Sequence, residues 1–149
     1  MYWNEIGIPT RQVSAENPTG DKGSGCAFIP DPDDPNLPFS KKSVHLGKGW
    51  KVRPFIKIQP GQTETLMDVT GPGSIREMFI TTDYKRLSEL VLRIYWDGEE
   101  QPSVESPLGA FFCMGHDSAH HAVTSQMVHV VPRAGLNCYW MMPFASAHV

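Results

Sequence analysis

Four carboxylates crowd one stretch of this chain, VLRIYWDGEEQPSVESPLGAFF: Asp97, Glu99, Glu100 and Glu105. Two carboxylates flanking a glycosidic bond are what glycoside hydrolysis needs, one as acid and one as nucleophile or base. Tyr95 and Trp96 stand beside them and offer flat faces on which a sugar ring can lie. The plainer reading is that Asp97, Glu99 and Glu100 solvate a hairpin tip, a routine use of charge next to a turn. Glu105 is different, because it falls inside a strand pattern. The local pair for acid chemistry is therefore Glu105 with Asp97.

Three further constellations compete with it. GHDSAHH and His129 place four histidines and Asp117 within a short span, with His116 and His120 spaced i, i+4. Imidazoles at that spacing suit a metal on a helix, but Gly115 and Ser118 read as loop, so a polar loop is the simpler account. SAENPTGDKGSG carries Gly20, Gly23 and Gly25, which allow a ligand to approach the backbone closely. Without a strand before it and a helix after it, this is no phosphate loop. Asn17 and Lys22 are its ligand-facing candidates, against a reading as surface loop. LGKGWKVRPF sets Trp50 between Lys48 and Lys51, which suits a sugar or a core tryptophan flanked by lysine stems. Cys113, Cys138, Met141 and Met142 read as packing residues. None of these patterns calls for a cofactor.

The elements that must position these residues are short. Thirteen prolines and thirteen glycines cut the chain into pieces too brief for helices. Strands are predicted at 55–58, 63–69, 75–81, 90–96, 103–106, 126–131 and 138–142, with a helical turn within 84–89. In 90–96 the alternation is clear: Leu90, Leu92, Ile94 and Trp96 share one face, and Val91, Arg93 and Tyr95 share the other. Turns fall at Pro60-Gly61-Gln62, Gly71-Pro72-Gly73 and Asp97-Gly98. Residues 14–43 read as a long irregular segment. Short strands at this spacing mean an all-β sandwich or barrel.

Length and composition set the bounds. The chain has 149 residues, enough for one cored domain, so 1–149 is read as one domain. A net charge of −3 with scattered lysines and arginines is not that of a nucleic-acid binder. Apolar runs are too short for a membrane span. The start, MYWNEIGIPT, lacks a signal-peptide pattern, so a cytoplasmic location is expected. Three widely spaced cysteines favour reduced thiols over a disulfide framework or structural zinc.

In order along the chain, SAENPTGDKGSG, LGKGWKVRPFIKIQPGQTETLMDVTGPGSI, LVLRIYWDGEEQPSVESPLGAFF and GLNCYWMMPF closely resemble domain-of-unknown-function family 2961, also identified as glycoside hydrolase family 172. The resemblance spans most of residues 14–144. It implies a jelly-roll β-sandwich, the N-terminal half of a two-roll protein that assembles as trimers or hexamers. It also implies action on furanosides, fructofuranosides or D-arabinofuranosides, by a retaining mechanism with two glutamates. Those glutamates belong to the family's second roll, near a GTGTEDYF-like motif that does not occur here. The sequence departs from the family pattern at Ala110 and near Thr124-Ser125-Gln126. Asn17, Lys22, Trp50 and the Tyr95-Trp96-Asp97 run match family motifs and are expected to line a carbohydrate site near a subunit interface. The resulting expectation is a jelly-roll module that binds a carbohydrate and forms a homo-oligomer. Its rivals are an active glycosidase, a structural assembly protein with a capsid-like fold, and a carbohydrate-binding module.

Overall fold

The computed structural model describes residues 7–29, 31, 33, 43–115, 121–131 and 135–149. The chain divides into two compact units, Met1–Met67 and Asp68–Val149.

The described residues of the first unit are built mainly from turns. Ser14 and Asn17 form an isolated antiparallel bridge, and a 3-10 turn spans Val44–Leu46. The predicted turn at Pro60-Gly61-Gln62 forms: Gln62 N–H donates to the Gln59 carbonyl at 3.0 Å, and Gly61 has φ +78°. Proline followed by a glycine of positive φ is the pattern of a type II turn. The strands predicted on either side of it are corrected. Residues 55–58 lie outside any sheet, and of 63–69 only Asp68 and Val69 enter one. Apolar residues in a short run supply strand propensity, but a strand needs a neighbour to pair with. What holds this unit together includes Glu16, which is buried and accepts from the Arg53 N–H. The Arg53 guanidinium lies over the Phe28 ring, 5.4 Å from its centroid.

The second unit is a β-sandwich of eight antiparallel strands. They are β1 (Asp68–Ile75), β2 (Met78–Thr81), β3 (Val91–Trp96), β4 (Val104–Pro107), β5 (Val123–Thr124), β6 (Val128–Val131), β7 (Gly135–Cys138) and β8 (Met142–His148). One sheet has the order β1-β8-β3-β4 and the other β2-β7-β6-β5. The winding is that of a roll at its outer turns: the unit's first and last strands pair, β1 with β8, and the next strands in pair next, β2 with β7. Inside these, β3 and β4 close as a hairpin and β5, β6 and β7 as a meander.

The alternation read in 90–96 places the core. Leu92 and Ile94 of β3 point inward with Val128 and Val130 of β6 and Leu136 and Cys138 of β7, so residues of both sheets share one apolar cluster. Burying each such aliphatic side chain contributes about 1.5–3 kcal/mol. Phe112 and Met114 close one side of the cluster from behind a single helical turn, α1 (Leu108–Phe111), which the sequence reading missed. The helical turn within 84–89 is present as a 3-10 turn, Tyr84–Arg86, with Asp83 accepting from the Lys85 N–H at 3.1 Å.

Three strand boundaries are corrected. Gly71-Pro72-Gly73 does not stop a strand: β1 runs through it, with a bulge between Thr70 and Gly73. β1 is a sheet edge, where a proline and a bulge are tolerated. Gly73 also makes room for its cross-strand partner: a Cβ there would sit 2.7 Å from the Phe144 ring, which would have to shift. The stretch predicted as 75–81 splits, Ile75 ending β1 and Met78 opening β2. The stretch predicted as 138–142 splits too. Cys138 ends β7, Met142 opens β8, and Tyr139-Trp140-Met141 carries the chain from one sheet to the other. Met141 is therefore 63% exposed rather than packed. Cys113 is also exposed, whereas Cys138 is buried as expected, and all three cysteines are free. Among the described residues no helix is long and apolar enough to cross a membrane.

Candidate functional site

The acid-rich hairpin and the glycine-rich loop come out differently. In the hairpin, Arg93 and Glu105 are cross-strand partners, and Arg93 Nε donates to Glu105 Oε2 at 2.6 Å. Both lie on the outer face, 41% and 55% exposed. The hydrogen bond to Glu105, with its charge second, pushes the Arg93 guanidinium further up its basic range.

Asp97 is occupied as well. Its backbone is left-handed, φ +53°, as is that of Gly98, φ +79°, and Glu99 N–H donates to the Trp96 carbonyl at 2.9 Å. Two central residues of positive φ make this a type I′ turn. At this turn β3 leaves the side of β8, and the Asp97 carboxylate takes over from the strand. Its Oδ1 accepts from the N–H groups of Ala145 and Ser146 at 2.7 and 2.9 Å. Its own N–H donates to the Ser146 carbonyl at 2.9 Å. Asp97 thus continues the sheet by side chain. Glu99 accepts from the Ser103 hydroxyl across the loop tip.

Glu105 sits opposite Arg93, four residues from Asp97, which is about 13 Å along a strand at its usual rise. A retaining pair stands about 5 Å apart. The two carboxylates are therefore tied to separate partners, Glu105 to Arg93 of β3 and Asp97 to Ala145 and Ser146 of β8.

The aromatic candidates of this strand face opposite ways. Trp96 packs against the core cluster and stacks on Phe144, centroids 6.1 Å apart and planes 10° from parallel. Tyr95 meets His148 edge-on at 5.8 Å on the other side. They form no common platform. Among the described residues no group of His, Cys, Asp or Glu is arranged to hold a metal, and His116 and His120 lie outside the described residues.

The loop in the first unit does bring its candidates together. Thr10, Arg11, Gln12, Ser14, Asn17, Gly20, Asp21, Lys22, Gly23 and Gly25 line an open depression of about 270 Å³. That is just under the usual 300–1,000 Å³ of small-molecule sites. Asn17 is the loop's hinge pin. It is only 8% exposed, its Nδ2 donates to the Asp21 carbonyl at 3.0 Å, and its own carbonyl accepts from Ser14 and Gly20 at 3.0 and 3.2 Å. Gly20 makes the tight return possible, with φ +68° and a Cβ position only 3.0 Å from Val13. Lys22 is exposed and lines the depression. Of the two predicted ligand-facing residues, Asn17 holds the loop and Lys22 faces outward from it. Arg11 is a lining residue that the sequence reading missed, because it lies before the glycine-rich motif in a segment without pattern. Trp50, on the same unit, is 57% exposed between its two lysines, so it is a displayed tryptophan rather than a core one.

A β-sandwich with this motif order is the class the fold defines, and the comparisons agree. The GH172 domain-like family model matches residues 51–149. The match covers more than half of the chain, and the chain belongs to the GH172 domain-like family. It begins after the depression, so the loop's assignment rests on its own geometry. No curated protein matches the chain.

Proposed function

We propose that this chain is a glycoside-hydrolase-like module that binds a furanoside, a fructofuranoside or arabinofuranoside, through the depression formed by residues 10–25, and that it does not cleave it alone. The observation that carries the reading is the convergence of Arg11, Asn17, Asp21 and Lys22 on one small depression, in a chain of the GH172 domain-like family. Hydrogen-bonding groups around a space of this size suit the hydroxyls of one sugar unit. The engagement of Glu105 by Arg93 and of Asp97 by β8 supports binding without hydrolysis. Calorimetric titration with methyl fructofuranoside and methyl arabinofuranoside tests the binding, and saturable binding that Lys22→Ala weakens without abolishing is expected. Release of aryl alcohol from aryl furanosides, lost on Glu105→Gln, would overturn the non-catalytic part.

A second reading concerns assembly. Met127, Tyr139, Trp140 and Met141 are large exposed apolar residues at one end of the β6–β7 pair, where Tyr139 N–H donates to the Met127 carbonyl at 2.8 Å. Such surface favours association, and we propose a homo-oligomer, a trimer or a multiple of one. Light scattering after size exclusion should give that mass. A stable monomer would remove this reading.

A further inference from the structure

The depression holds more positive charge than its surroundings need. Arg11 and Lys22 both line it. Neither belongs to any ion pair found among the described residues, which join Arg86 to Glu89, Arg93 to Glu105 and His148 to Asp68. Asp21 is the single acidic residue of the lining, and its Oδ2 already accepts from the Thr19 hydroxyl at 2.7 Å. The lining thus carries a net positive charge on a chain whose formal net charge is −3.

A second observation is independent of charge. The other glycines, Gly115 excepted, have either a positive φ or a neighbour that a Cβ would crowd. Gly25 has neither: its φ is not positive, and nothing lies within 4 Å of a Cβ built on it. The fold would accommodate a side chain there. Gly25 lines the depression, where its bare backbone leaves open space.

We propose that the depression recognises an anionic sugar, one bearing a carboxylate or a phosphate group, with Arg11 and Lys22 binding the charge and Gly25 giving clearance to the ring. This rests on the furanoside-module reading and adds the charge of the ligand to it. Charge-assisted hydrogen bonds from Arg and Lys are stronger than neutral ones, and Arg presents a fork that matches either group.

The test is titration of the whole chain with four probes: methyl fructofuranoside, glucuronate, fructose 6-phosphate and inorganic phosphate. At least one anionic sugar should bind about ten-fold more tightly than the neutral furanoside at low salt, a preference that added salt erodes. Which of the two wins identifies the carboxylate or the phosphate as the group read. Lys22→Glu should erase the preference with the melting temperature unchanged. Gly25→Val should weaken the neutral and anionic sugars together, again without a loss of melting temperature. Equal affinity for neutral and anionic sugars overturns the inference and leaves the furanoside reading standing. Inorganic phosphate binding as tightly as fructose 6-phosphate overturns it as well, because the ring would then contribute nothing. No sugar binding in any arm overturns both readings.

Discussion

The hairpin of β3 and β4 and the loop around Asn17 present similar chemistry in sequence: charged residues next to glycines, with an aromatic or amide at hand. Their fates are opposite. In the hairpin, cross-strand register puts Glu105 directly opposite Arg93, and the turn at Asp97 aims a carboxylate at the free amides of β8. In the loop, backbone turns satisfy one another around Asn17, and Arg11 and Lys22 are left at the rim of a depression. Sheets use up polar groups because every residue gains a fixed neighbour on each side. Turns close on themselves and leave long side chains free.

The sharpest way to test this contrast is to compare a residue held between the sheets with one at the depression. Ile94→Ala, at a fully buried position, should cost about 2–5 kcal/mol in chemical denaturation. Lys22→Ala should stay within about 0.5 kcal/mol of the parent. A loss of stability with Lys22→Ala comparable to Ile94→Ala would break the distinction. Next comes Asp97. Replacing it with Ala strands two β8 amides and should cost about 1–3 kcal/mol. Asp97→Asn should recover much of this, since a single oxygen accepts both bonds.

The sandwich also predicts an alkaline limit. Burial pushes the Cys138 thiol up, the main cause, with nearby Cys113 adding to it. The folded state therefore keeps this proton more tightly than the unfolded chain does. Stability is unaffected below the ordinary thiol value and falls as pH rises past about 8.5, by up to about 1.4 kcal/mol per pH unit. Cys138→Ala should remove that decline in melts between pH 8 and 10.

A smaller effect, in the other direction, is expected at Cys113. It occupies the left-handed position after α1, φ +62°, with its N–H on the Ala110 carbonyl at 3.0 Å and Met114 N–H on Gly109 at 2.7 Å. Glycine is the usual residue in this Schellman geometry. Cys113→Gly should stabilise by about 0.5–1 kcal/mol in the same denaturation assay. The smallest change is expected from Glu105→Gln, within about 0.5 kcal/mol, because its ion pair is exposed.

The sequence alone determined the all-β class, the inward face of β3, the Asp97-Gly98 turn and the glycine-rich character of the loop around Asn17. Each depends on local chemistry: alternation of side chains, positive φ at turns, and the spacing of glycines. Tertiary structure alone decided that β1 continues through Gly71-Pro72-Gly73, that residues 139–141 cross between sheets, and that 55–58 lie outside the two sheets. It also decided the use of the polar residues. That Glu105 is answered by Arg93 follows from strand register, that Asp97 reaches β8 follows from a contact 48 residues along the chain, and that Arg11 joins Lys22 follows from the loop's return. Local pattern specifies which faces and turns a segment can form. Which polar group is consumed and which stays open depends on neighbours brought close only when the distant parts of the chain pair.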